Sequence, residues 1–365
     1  MRCLVFGLHD RVGGVERYTE ILASELLSKK IYFDYVSPYK HMALEEKFLS
    51  LKSKIYHVSS FKRNPLKYII EINEIIKNGH YDVVYVNMLS AANVLPFIVS
   101  RRNNVKKIIA HSHNNATPKG VLRKILHLLN YRIIEKIGTN FWACSTLAAK
   151  WLFPDLKEDA VKIIPDAIDM NKFRFSESRR LSTRKELDIT DNEFVFGHIG
   201  RFEEQKNHLF LLKVFNEIHK KHLNSKLILV GDGELRQQVE TYVDKEKLND
   251  CVLLVGSVED TAKYYDAMDA FLFPSKFEGF GIAVIEAETS GLSCCISDNL
   301  SKSLEITDVR YVKVNNLEQW VTECEKMIKE KTRSYTRRKR FELCNESRYS
   351  LKFFSHDIWK SFCEL

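Results

Sequence analysis

The chain has 365 residues, 45% of them hydrophobic and 28% charged, with a formal net charge of +8. It is too long for one ordinary core and too apolar for a disordered chain, so two globular domains are expected. No apolar run approaches the length of a membrane span, and the opening MRCLVFGLHD reads as a short strand rather than a targeting segment, so a cytoplasmic protein is expected.

Residues 3–8, CLVFGL, read as a buried strand that turns at Val12, Gly13 and Gly14 into an amphipathic helix over about 16–27. Gly13 and Gly14 have no side chains to block a ligand at that helix start, although a double glycine taken alone is more often a plain turn. A second strand follows at 32–36 and a helix at 69–76. Further strands are expected at 82–87 (DVVYVN), 107–113 and 141–144. Strands alternating with helices predict a doubly wound parallel sheet, an α/β fold. The strand at 107–113 ends in His111, Ser112 and His113, and polar residues at the carboxyl end of a strand are where such sheets bind ligands. Alternation puts both histidines on one face with His113 nearer the mouth; ligand-facing groups and ordinary turn residues are equally good readings. Residues 120–137 form an amphipathic helix whose polar face carries Arg123, Lys124, Arg132 and Lys136. It either rests on an anionic bilayer or packs its apolar stripe on the sheet, the commoner outcome.

Residues 172–190 are polar and charged, a candidate inter-domain stretch. A second cycle then begins with a strand at 194–199, which runs into Gly200 and Arg201 and, five residues on, Lys206. Two cations at a strand end suit a diphosphate, with Arg gripping a fork of oxygens and Lys acting as a point charge. Strands at 226–230 and 252–255 end in glycine and lead into helices. The next stretch, 271–298, joins a buried strand to a loop in which Gly279 and Gly281 bracket Phe280, and then to a helix. Glu278 lies in this loop and Glu286 in the helix. A carboxylate beside a phosphate site suits sugar hydroxyls, although for a bare pair of glutamates solvated positions are the favoured reading. The chain turns helical at 317–331. A basic run over 333–340 reads as a solvated helix face, and a last helix covers 350–362.

The eight cysteines show no C-x-x-C pair and no zinc spacing, and read as reduced, buried thiols. Charge is uneven: residues 1–172 hold 26 Lys and Arg against 16 Asp and Glu, while the remainder holds 30 against 32. The first half should approach something anionic, a membrane surface, a pyrophosphate-linked acceptor or nucleic acid, or else carry a basic face for solubility. No nucleic-acid recognition motif accompanies it.

Five segments in this order, GGVER (13–17), HSHN (111–114), GRFEEQKN (200–207), LVGDGE (229–234) and FPSKFEGFGIAVIEA (273–287), resemble the GT-B retaining glycosyltransferases of family 4, across almost the whole chain. The resemblance implies two facing Rossmann-like domains: an acceptor-side domain of residues 1–172 joined by a crossing-back helix at 348–365, and a nucleotide-sugar domain of 173–347. It implies that Arg201 and Lys206 bind the donor diphosphate, that Glu278 contacts the transferred sugar and Glu286 the ribose, and that Gly279, Phe280 and Gly281 belong to that donor loop. Gly13 and Gly14 would face the diphosphate and His113 the reacting sugar. No cofactor and no metal are expected. The partners implied are a nucleotide sugar, with a UDP-sugar favoured, and a glycan or lipid-linked acceptor, as in capsule or exopolysaccharide assembly. An anionic membrane face is expected to meet the basic first domain, which makes the protein peripheral. One departure is Pro165-Asp166-Ala167-Ile168-Asp169, where the family usually has Pro-Asn-Gly. Competing readings are a sugar-nucleotide epimerase of similar fold and a non-catalytic nucleotide-sugar-binding partner subunit.

Overall fold

The computed structural model describes residues 1–116, 120–330 and 334–365. These form two compact units, one of Met1–Ala167 with Lys352–Leu365 and one of Ile168–Leu351.

The first unit is built on a seven-stranded parallel sheet of β1 (Arg2–Phe6), β2 (Tyr32–Ser37), β3 (Ile55–His57), β4 (Val83–Met88), β5 (Lys107–Ser112), β6 (Asn140–Ala143) and β7 (Val161–Ile163), in the order β3-β2-β1-β4-β5-β6-β7. Its central strands are near-continuous apolar runs because helices cover both faces; every residue of β4 is buried. The helix Leu351–Cys363 belongs to this unit from Lys352 on. Its Phe354 lies against Tyr18, and its Phe362 against Phe33 and Trp142.

The second unit repeats the design with six parallel strands, β8 (Phe194–Ile199), β9 (Ser225–Val230), β10 (Val252–Gly256), β11 (Ala270–Phe273), β12 (Ser293–Ser297) and β13 (Val309–Val312), ordered β10-β9-β8-β11-β12-β13. Its core joins Phe196, Leu227, Leu229 and Leu272 of the sheet to Leu211, Phe215 and Trp320 of the covering helices. In both sheets the winding direction reverses beside the first strand, between β1 and β4 and between β8 and β11. The crevice outside the carboxyl ends at such a switch point is where open α/β sheets bind ligands.

Several expectations are corrected. The strands β3, β7, β12 and β13 were not anticipated. Of these, β3, β7 and β13 are outermost strands, hydrogen-bonded on one side only and three or four residues long, so they lack the apolar run of a central strand, whereas β12 is an inner, fully buried strand with serine at both ends. The polar stretch 172–190 is no linker: it contains the helix Glu177–Glu186, packed within the second unit. There Arg180 and Arg184 reach Asp269 at 2.7 and 3.3 Å. The basic run is not simply a solvated face either. Residue 333 lies outside the described residues, but Arg337 is 3% exposed, its guanidinium donating to the carbonyls of Ser290, Asp266, Met268 and Tyr265. All eight cysteines are free thiols; seven are buried, whereas Cys363 is exposed. Among the described residues no helix is long and apolar enough to cross a membrane.

Candidate active site

In the second unit the site is assembled from the segments that follow β8, β9 and β11. After β8 the chain passes Gly200 and Arg201, makes a 3-10 turn at Glu204–Lys206, and enters the helix His208–Lys221 through Asn207 in a left-handed conformation (φ 60°). This segment is laced to the loop after β11. The Lys276 amide donates to the Gln205 carbonyl (2.8 Å), and the side-chain amides of Gln205 and Asn207 donate to the carbonyls of Phe277 and Pro274. The lacing brings together two residues that lie 72 apart in sequence: Lys206 Nζ donates to Glu278 Oε1 at 2.7 Å while sitting 4.6 Å from the centre of the Phe273 ring. Glu278 is buried, so this ion pair is shielded from water and stronger than a surface pair. Arg201, expected beside Lys206, is exposed, and its guanidinium lies 3.2 Å from Glu203. The loop after β9 comes so close that a Cβ on Gly231 (φ +136°) would fall 2.1 Å from the Gly200 carbonyl oxygen, which leaves room for glycine alone.

The helix Ile282–Thr289 starts from Gly281, whose φ of +95° favours glycine. Glu286 on this helix is half-buried and accepts a hydrogen bond from the Tyr265 hydroxyl at 2.8 Å. Gly279 and Gly281 are buried at either side of Phe280, whose ring packs on Tyr349. Beneath the site, His198 donates from Nδ1 to the Leu272 carbonyl and stacks near Phe273; burial pulls its pKa down to about 3, so it is neutral.

In the first unit, His111 and His113 do share a face, with ring centres 4.0 Å apart. They differ in access. His111 is wholly buried and hydrogen-bonded to the Tyr85 hydroxyl, whereas His113 lies just past the end of β5 and keeps a small exposed area. The Asn87 amide donates to Phe6 O and Thr19 Oγ1, which turns its oxygen towards His113 Nε2 at 2.9 Å. His113 therefore carries its proton on Nε2 and presents the lone pair of Nδ1 to Asp166 Oδ1, 4.0 Å away. Burial raises the Asp166 carboxyl to about 7 and lowers His113 to about 3, so the pair's proton rests on Asp166 up to neutral pH. Gly13 is in extended backbone at the N-cap of the helix Gly14–Leu27, and a Cβ on Gly14 would meet nothing within 4 Å.

Sequence reasoning named Lys206, Glu278 and Glu286 but not what holds them. Phe273 and Tyr265 carry no local signal, since an aromatic in an apolar strand or helix reads as core. Asn87 did carry one: a polar residue closing an otherwise apolar strand.

Two family models match, "Glycosyl transferases group 1" over residues 180–342 and "Glycosyltransferase Family 4" over 12–172. Each falls almost wholly within one unit, and together they cover every strand from β2 to β13. The chain belongs to the family 4 glycosyltransferases. It is 29% identical over 242 residues to the UDP-Gal:alpha-D-GlcNAc-diphosphoundecaprenol alpha-1,3-galactosyltransferase of Escherichia coli, covering 64% of this chain and 62% of that one. It is 25% identical to the capsular polysaccharide biosynthesis glycosyltransferase CapH of Staphylococcus aureus, covering 90% of each. Among solved structures, Anabaena HepE in complex with UDP and glucose superposes with a TM-score of 0.83 over the whole of both chains at 17% identity, a likeness of fold. The fold class is GT-B, and this glycosyltransferase has relatives in polysaccharide biosynthesis. In such an enzyme a lysine already paired with a carboxylate is a preorganised charge, fixed before any ligand arrives.

Proposed function

We propose that the protein transfers a sugar, with retention of configuration, from a nucleoside diphosphate sugar to a lipid-linked glycan in exopolysaccharide or capsule assembly, and that the donor is a UDP-sugar. The observation that carries this reading is the buried Lys206–Glu278 pair at the switch point between β8 and β11. It puts a cation suited to diphosphate beside a carboxylate suited to sugar hydroxyls. The binding of UDP and glucose by HepE and the diphosphate-linked acceptor named for the Escherichia coli enzyme support the substrate classes.

In this reading Arg201 and Lys206 bind the donor diphosphate and stabilise the charge that grows on it as the C1–oxygen bond breaks. Glu278 holds hydroxyls of the transferred sugar, and Glu286, oriented by Tyr265, holds the ribose. Gly279 and Gly281 let the loop backbone approach the donor, while Phe280 anchors that loop on Tyr349. The acceptor hydroxyl attacks C1 from the leaving-group face; its oxygen–carbon bond forms, and its proton passes to the departing phosphate oxygen. His113 borders the reacting sugar, and Gly13 and Gly14 leave space for the diphosphate. The two cations supply the electrostatic work, so no metal or cofactor is required. The basic first unit seats the protein on an anionic membrane face.

Thermal unfolding in the presence of UDP-, GDP- and ADP-sugars tests the reading, because a ligand that binds only the folded state raises its melting temperature. A rise with UDP-sugars alone, lost in Arg201→Ala and Glu286→Ala, is expected. Rises that persist in both variants would place the donor elsewhere.

A further inference from the structure

A cavity of about 690 Å³ lies wholly within the first unit at the carboxyl ends of β1, β2 and β4. Its walls are apolar, with Leu8, Phe61, Tyr68, Met88, Leu122 and Leu126 among them. Polar residues line it as well. Asn87, the hydrogen-bond partner of His113, lines one part; Lys62 and Arg123, both exposed cations, line another. A polar acceptor saccharide does not need walls of this kind, and the mechanism above uses none of them.

The helix Val121–Ile137, whose first turns form one wall, is turned the opposite way from an ordinary amphipathic helix. Only His127 and Ile134 are buried, while Val121, Leu122, Ile125, Leu128 and Leu129 face solvent, Leu122 at 70% and Leu129 at 64%. The helix Pro65–Gly79, which also lines the cavity with its first turn, exposes Leu66 and Ile70 on one face. Cations accompany these side chains: Lys62, Arg63 and Lys67 near one helix start, and Arg123 and Lys124 at the other. An apolar cavity that opens beside exposed leucines and cations, with Asn87 in its lining, matches an amphiphile with three parts: saccharide, anionic phosphate linkage and hydrocarbon chain.

We propose that this cavity binds the first hydrocarbon units of a lipid-linked acceptor, with its phosphate linkage held by Lys62 and Arg123 and its saccharide directed along Asn87 towards His113. The inference rests on the glycosyltransferase reading above and narrows its acceptor to one that carries its lipid into the protein.

The probe is farnesyl diphosphate, titrated into the full chain held in saturating UDP so that the donor site is filled. Farnesol and inorganic diphosphate serve as controls. Binding is expected for farnesyl diphosphate and not for inorganic diphosphate, weaker for farnesol, and reduced about tenfold or more by Leu122→Glu, since a charge would enter the apolar wall. Arg123→Glu should weaken farnesyl diphosphate more than farnesol. Both residues are exposed, so these variants should fold, and their UDP affinity, measured alongside, should match that of the parent. If UDP binds but farnesyl diphosphate does not, or binds equally to Leu122→Glu, the cavity proposal falls and the donor reading survives. If Leu128→Glu, outside the cavity, weakens the probe as much as Leu122→Glu, adhesion to the helix face is all that is seen and the proposal is overturned. A folded protein that binds no UDP removes the reading itself, and the proposal with it.

Discussion

Lys206 and Glu278 are the residues in which chemistry and structure are hardest to separate, because the partners that hold the site together are also those assigned to the substrate. Lys206→Ala should lower kcat by about 10²–10³-fold, the usual effect of losing one preorganised charge, while the chain remains folded. Initial rates of UDP release give the measurement, and a loss confined to KM would mean that Lys206 binds the ground state only. Asp166 is a different kind of residue. Its carboxyl is raised to about 7 by burial, with Tyr18, Tyr85, Cys144 and His113 around it. The unfolded chain releases this proton near the ordinary carboxyl value and the folded chain holds it, so the group's contribution to stability is full at low pH. It is lost as pH rises from about 4 to about 7, by up to about 1.4 kcal/mol per pH unit, and is constant above that. Asp166→Asn, the residue that the family usually has here, should flatten this slope in urea unfolding between about pH 4 and 7. An unchanged slope would show that Asp166 ionises normally. Glu288, raised to about 7 by burial, acts in the same direction and remains in the variant.

Among the elements, the helix Ser334–Asn345 shows how a basic run becomes part of a core. Arg337 reaches over the end of the helix Ala262–Ala267 and that of Ile282–Thr289; it donates to the Tyr265 and Ser290 carbonyls and shares those of Asp266 and Met268 with Arg180. Such carbonyls are costly to bury alone. Arg337→Ala should therefore cost about 3 kcal/mol or more, and Arg337→Lys should not restore it, because an ammonium cannot span the same set of acceptors. Denaturant unfolding measures both; a loss under about 1 kcal/mol for either would mean that water replaces the guanidinium. The helix Val121–Ile137 shows the reverse case, an apolar stripe that the fold leaves outside.

For the whole molecule, the asymmetry of charge gives a prediction that no single residue carries. Residues 1–172 hold a net +10 and the rest −2. Vesicles containing anionic lipid should retain the protein at low salt and release it as ionic strength rises past about 0.15 M, where the screening length falls to about 8 Å. Retention that salt does not weaken would assign the attachment to the exposed leucines alone; no retention at low salt would remove the membrane from the proposal. The central strands, the glycine turns and the cations and carboxylates at strand ends were legible in the sequence, because each follows from neighbours a few residues away: an apolar run, a residue that tolerates positive φ, a charge beside a helix start. Chain-distant geometry was not. That Lys206 meets Glu278, that Arg337 is buried while the leucines of 121–137 are not, and that β3, β7, β12 and β13 are strands at all were decided by packing, which assigns each segment its partner and its face only after the sheets have assembled.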